Sequence, residues 1–390
     1  MMLRMLHLLL ALTFASAGAV AAQPVDPAQQ PARADKDADE SGWMALARRW
    51  FDTGDTVPRF TIVFGGIKPG SGAALGPAVG YSFRDGSFVQ AQAEYSIHHY
   101  KLLQTRFQSR SFGAMHATIS SRVRWQDAPR LALYEIGSDS PNARALYGER
   151  KTEYSAAVTL RPTSLARVAA GLGYEQFTVD SGRTNPSEDE SLSFIPRLPG
   201  LATEPHFVHV FVAGGLDTRP SGDFSRRGSQ LNAAIHGFTD RSDTGFSFSQ
   251  FLLEGEHLVP VAHDRGALAL AGNLWTSTGT NVPFFLMPTL GGGDYLRGFR
   301  TYRFRDRDAA VLTAQFQWGV HEYADAVAFV DAGIVAPRLS SIRVSAIPVT
   351  QGLGVRVHTP KKTVFRLDLA RSVEGLQLLI GFSSRASAIF

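Results

Sequence analysis

From about Val57 onward apolar residues recur at every second position, and this period constrains the fold more than any other feature of the chain. In Phe88–His99 the odd positions are Val89, Ala91, Ala93, Tyr95 and Ile97, and the even ones Gln90, Gln92, Glu94, Ser96 and His98. Leu312, Ala314, Phe316, Trp318 and Val320 alternate with Thr313, Gln315, Gln317 and His321, and Thr363, Phe365, Leu367 and Leu369 with Arg366 and Asp368. A strand sends successive side chains to opposite faces, so each run predicts a strand with one apolar and one polar face. A soluble sandwich gives the same alternation. Runs close to the roughly 9–11 residues that a membrane strand needs, with aromatics at their ends, favour a bilayer.

An open sheet would leave unpaired edges in lipid, so the strands should close on themselves. Breaks at Lys68–Gly72, Arg84–Gly86, Arg161–Thr163, Arg219–Asp223 and Thr359–Lys362 suit hairpin turns, and Ser181–Glu190 and Gly279–Asp294 suit longer external loops. The expected class is all-β: a transmembrane antiparallel β-barrel of about 16 strands, an even number as such barrels require. Composition agrees, because charged residues make up only 19% while glycine (37 residues) and aromatics (11%) are plentiful. A net charge of +4 is too small to point to nucleic acid.

The N-terminus reads as a cleavable secretory signal over residues 1–22. Arg4 supplies the positive region, Leu6–Phe14 the apolar core and Ala15–Ala22 the small-residue run, with cleavage before Gln23. The apolar core falls short of the roughly 20 residues a spanning helix needs. Residues 23–56 read as a disordered leader, its first part Gln23–Ser41 being rich in Ala, Pro, Gln and Asp. Within it Gly42–Gly54 is either a short amphipathic helix or a loosely ordered tail. The absence of cysteine rules out disulfides, thiolate metal sites and a lipoprotein anchor.

Several blocks then carry a resemblance. Ile67–Pro77 is glycine-rich; Leu216–Pro220 contains Asp217 and Arg219 and is followed by Ser225–Leu231 with Gly228. Leu296, Arg297, Gly298 and Phe299 form a compact loop motif, and Val327–Val335 carries Phe329, Asp331 and Gly333. In order and spacing these blocks resemble the Omp85 superfamily of outer-membrane β-barrels over nearly all of residues 57–390. The resemblance implies an outer-membrane protein whose long loop after the eleventh strand folds back into the barrel, its arginine meeting an acidic group on the inner wall. It implies outer-membrane lipid, and a periplasmic or membrane protein, as partners; cargo and oligomeric state stay open. Residues 23–56 are too few for a POTRA domain, so the chain is expected to be a short member lacking them.

The residues support that picture physically. Arg297 has planar donors that can grip a carboxylate at two points, and Gly298 allows close approach of the backbone to the wall. Val327, Phe329 and Asp331 share one strand face and Ala328, Val330 and Ala332 the other. A carboxylate facing lipid is costly, so Asp331 should face inward, and Phe329 beside it needs an inserted loop to pack against. An ordinary solvated turn arginine is the alternative.

Other constellations are weak. Glu94, His98 and His99, and His206 with His209, invite a metal reading, but strand geometry splits each set across two faces. No nucleophile elbow appears, and the triple glycine at Gly291 lacks the Lys and Ser/Thr of a phosphate loop. The expectation is a non-enzymatic barrel with no metal and no cofactor. Its anticipated role is a plugged pore in transport or insertion of protein or lipid at the outer membrane. The alternative is a non-conducting structural or partner-binding surface-antigen barrel.

Overall fold

In the computed structural model the described residues are 59–140, 142, 144–181, 198–220, 225–279, 281–343, 346–359 and 363–381. The expected signal peptide, the leader with Gly42–Gly54, most of the Ser181–Glu190 loop and the chain from Phe382 lie outside them.

Alternation becomes strands. They are β1 Phe60–Gly65, β2 Ala74–Ser82, β3 Phe88–Ser96, β4 Lys101–Gln108, β5 Thr118–Leu133, β6 Ala145–Leu160, β7 Ala166–Ser181, β8 His206–Asp217 and β9 Gly228–Asp240. There follow β10 Phe248–Val261, β11 Gly266–Thr278, β12 Thr289–Leu290, β13 Phe304–Arg305, β14 Asp308–His321, β15 Ala324–Ala336, β16 Val349–His358, β17 Thr363–Ser372 and β18 Gly375–Gly381. Sixteen form one antiparallel sheet in sequence order, a nearly closed barrel, while β12 and β13 pair with each other inside the β11–β14 connection. Among the described residues no ladder joins β1 to β18.

The two faces sort as membrane barrels require. Phe60, Ile62 and Phe64 of β1, and Leu376, Leu378 and Ile380 of β18, are exposed outward, whereas Glu94, Glu153, Glu175, Asn232, Asp331 and Asp368 are buried within. One rim carries short turns such as 262–265 and 322–323; the other carries the long connections 134–144, 182–205 and 279–307. Short turns mark the periplasmic side and long loops the outside. Strands β5, β6 and β7 have 16 residues each, more than the roughly 9–11 a bilayer crossing uses, so they rise past the membrane on the long-loop rim. There Leu131, Leu133, Tyr147, Phe177, Phe207 and Phe284 join in one buried cluster. The β5–β6 register shifts between Ala128 and Leu131, where Pro129 has no N–H to give a ladder.

One strand is shorter than its alternation suggests. β3 ends at Ser96, not at His99, because the chain reverses there: Tyr100 N–H donates to Ser96 Oγ at 3.0 Å and His99 takes a φ of 66°. His98 and His99 therefore lie in a turn, and their strand parity with Glu94 does not apply.

Candidate functional site

The connection between β11 and β14 does not stay outside. After a 3₁₀ turn at Phe284–Leu286 it forms the β12–β13 pair, Thr289 opposite Arg305 and Leu290 opposite Phe304, and between them turns the motif inward. Leu296 takes a positive φ of 55°, a conformation that costs a non-glycine residue about 1–3 kcal/mol, so its surroundings must hold it. They do: Leu296 and Phe299 are buried with Leu290, Phe304, Trp275, Val311 and Val335 in one apolar cluster. Gly298 has φ +95°, and a Cβ there would lie 3.2 Å from the Arg371 carbonyl carbon, so glycine lets the loop backbone lie against β17.

Between these apolar neighbours Arg297 is fully buried. Its backbone N–H donates to Asp331 Oδ2 at 3.0 Å, Nε donates to the same oxygen at 2.9 Å, and Nη2 donates to Asp331 Oδ1 at 2.9 Å. Nη1 donates to Gln315 Oε1 at 3.2 Å and lies 3.6 Å from Asp368 Oδ2. The guanidinium carbon stands 3.3 Å from the centre of the Phe329 ring. Asp331 also accepts from Thr313 Oγ1 at 2.8 Å, across the β14–β15 register that pairs these residues. Arg356 donates to both oxygens of Asp368, at 2.7 and 3.0 Å. Two arginines thus meet two carboxylates in a site closed to water. Buried ions need such mutual pairing, because burial alone penalises each charge by several kcal/mol, on the order set by Born solvation. Phe329 is seated by an opposite absence of side chain: a Cβ on Gly352 would come 2.4 Å from Phe329 Cζ.

Leu296, Arg297, Gly298, Phe299, Phe329 and Asp331 therefore converge. Gly333 joins them for a reason of space, since a Cβ there would lie 3.1 Å from both Leu290 Cδ1 and Val311 Cγ2. Asp217, Arg219 and Gly228 belong elsewhere, to the β8–β9 connection on the short-turn rim. There Arg219 pairs with Asp217 at 2.9 Å and with Glu256 at 2.8 Å, and Gly228 takes φ +101°.

Sequence reasoning missed half of the charge network. Asp368 was visible only as a polar residue alternating between Leu367 and Leu369, and nothing marked Arg356 as its partner. It also missed the ties from loop to last hairpin. Ser372 Oγ donates to Gly298 O at 2.6 Å, Arg366 pairs with Asp294, and Arg303 pairs with Glu374. Arg303 further donates to Ser140 O at 2.7 Å and Asn142 Oδ1 at 3.0 Å, joining the β5–β6 connection. These contacts span loops far apart in sequence, and no local pattern encodes them.

The histidines are dispersed. His98 Nδ1 contacts Gly70 O at 2.9 Å, His206 contacts Tyr174, and His209 lies between Glu175 at 3.1 Å and His236 at 2.9 Å. Among the described residues no three His, Asp or Glu side chains converge as a metal cage would need.

A 16-stranded antiparallel membrane barrel with one long connection folded onto its inner wall defines a class of outer-membrane protein. The family described as Omp85 superfamily domain matches residues 83–376, and the chain belongs to that superfamily. Its fold is similar to BamA from Haemophilus ducreyi lacking POTRA domains 1–3, with 12% identity, TM-score 0.63, and 84% of this chain and 70% of that one covered. It is also similar to CdiB from Escherichia coli (12% identity, TM-score 0.56, 82% of this chain and 61% of that one). CdiB from Acinetobacter baumannii is comparable (11%, TM-score 0.50, 83% and 58%). The chain thus spans less than two thirds of either CdiB. Comparison with curated proteins found no match. Family and relatives place the protein in the outer membrane.

Proposed function

We propose that the protein is a plugged outer-membrane pore that serves transport or insertion of protein or lipid, with the 279–307 connection as plug and Arg297–Asp331 as its latch. In this reading residues 1–22 direct export, the barrel begins near residue 57, and the protein performs no catalysis. The observation that carries it is the complete burial of Arg297 with three contacts to one carboxylate. An arginine merely decorating a turn would stay in water, where an ion pair contributes little. Among the described residues no ladder joins β1 to β18, and a seam there, through which a substrate strand or lipid could pass, supports an insertion role.

A second reading is a non-conducting barrel that binds a partner; the buried cluster of Leu131, Tyr147, Phe207 and Phe284 favours it only by fixing the long-loop rim as a rigid surface. Conductance separates the two. Refolded protein in planar bilayers is compared with a variant in which residues 281–306 are replaced by a Gly/Ser linker. Large stable current steps in the variant support the plugged pore; a correctly folded variant as silent as wild type supports the second reading.

A further inference from the structure

Arg371 interrupts the outer wall of the last three strands, and nothing in the inner-wall network uses its side chain. It is exposed, it lies in register beside Gln351 of β16 and Leu376 of β18, and all three face outward. Among the outward-facing described residues of β16, β17 and β18 it is the one ionised side chain. Among the described residues no carboxylate pairs with it. An unpaired arginine facing acyl chains is unfavourable at mid-membrane and tolerable at the interface. Arg371 stands two residues before the Val373–Glu374 connection on the long-loop rim, the end of the strand where the interface is expected.

Immediately below it the wall is hollow. Ala314 and Ala328 form a low floor, Leu353 and Leu369 rise beside it, and the groove they help to line measures about 550 Å³, with Gln351 and Arg371 at its upper end. The register explains the shape: Ala328 faces Leu353, which faces Leu369, so small and large side chains stand next to one another across three strands.

We propose that this groove holds an acyl chain of an anionic, phosphate-bearing lipid of the outer leaflet, whose phosphate sits on Arg371 and Gln351. Charge complementarity selects this occupant. Lipid phosphate is the anion available at that depth, guanidinium donors match phosphate oxygens, and the Gln351 amide adds a donor. An apolar floor below the cation suits a lipid, whereas inorganic phosphate would gain nothing from it. Arginine can also reach upward along its own alkyl stem, so headgroup and chain can be held together.

Native mass spectrometry of the full, delipidated barrel in neutral detergent tests this. Diphosphorylated lipid A is the probe, with phosphatidylcholine and inorganic phosphate in separate arms. Wild type should retain lipid A through detergent washing, Arg371→Lys should keep most of it, and Arg371→Leu should retain about tenfold less. Ala314→Phe, which fills the groove and leaves the inner wall unchanged, should lower retention as well. The proposal is overturned if both Arg371→Leu and Ala314→Phe hold lipid A as wild type does. It is equally overturned if phosphatidylcholine is retained as well as lipid A, or if millimolar phosphate displaces the lipid.

Discussion

Asp368 grips Arg356 at two points, 2.7 Å from Nη1 and 3.0 Å from Nη2, while the same carboxylate stands 3.6 Å from Arg297 Nη1. It therefore keeps two guanidinium groups from facing each other unneutralised on the inner wall. Asp368→Asn should destabilise the barrel by about 3–5 kcal/mol, the range for removing one partner of a buried pair. Removing Arg356 and Asp368 together should cost less than Asp368→Asn alone. Urea unfolding of the protein in lipid vesicles measures this, and an Asp368→Asn curve superimposed on wild type would refute it.

Gly333 is the floor on which the inserted loop rests. Gly333→Val would drive methyl groups into Leu290 and Val311, because even a Cβ lies only 3.1 Å from each. Overpacking of this kind costs about 1–3 kcal/mol. The expected result is a lower melting temperature and faster proteolysis within 279–307, both partly reversed by adding Leu290→Ala. Proteolysis unchanged from wild type would show that the loop does not depend on this contact.

Gly228 closes the β8–β9 hairpin with φ +101°, and a Cβ would meet Thr218 O at 2.8 Å. Gly228→Ala should then lose about 1–3 kcal/mol, the scale of a forced left-handed residue. Arg219→Ala, by contrast, removes partly exposed ion pairs with Asp217 and Glu256 and should change stability far less. Thermal unfolding of the two variants side by side decides the order.

Asp85 sits in the β2–β3 turn, where Ser87 N–H donates to its Oδ1 at 3.0 Å and Ser87 Oγ donates to its Oδ2 at 2.9 Å. The backbone bond first, and the hydroxyl second, hold its carboxyl below the usual value of 3.8. A depressed folded value contributes stability above the unfolded value, and that contribution is lost as pH falls through the folded one. Carboxyl NMR should find Asp85 titrating below 3.8. Asp85→Ala should flatten the acid dependence of stability below about pH 4. Titration at or above the ordinary value would contradict the turn geometry.

The barrel was legible because alternation is a local signal written into every strand: Leu312–Val320 and Thr363–Leu369 declare both their extended form and their lipid face. The inward placement of Asp331 followed from the same parity. What the period does not encode is where a strand stops, as at Ser96, where a turn hydrogen bond ends β3 while apolar alternation runs on through Ile97. Nor does it encode which inward charges meet. Arg356 and Asp368 look like any lumen-facing polar pair until the register sets them together, and the Arg303–Glu374 contact joins two loops 71 residues apart. Such pairings depend on the closed geometry of the sheet and not on the sequence near either residue.

The central claim is that Arg297 holds the loop in the lumen, and single-channel conductance of Arg297→Ala in planar bilayers tests it most directly. The account predicts that the variant, folded and inserted as wild type, shows larger or flickering current levels as the loop leaves the wall. It also predicts that Arg297→Lys, which keeps the charge without the two-point grip, falls between the two. An Arg297→Ala barrel with the same current record as wild type, and the same protease resistance across 279–307, would contradict it.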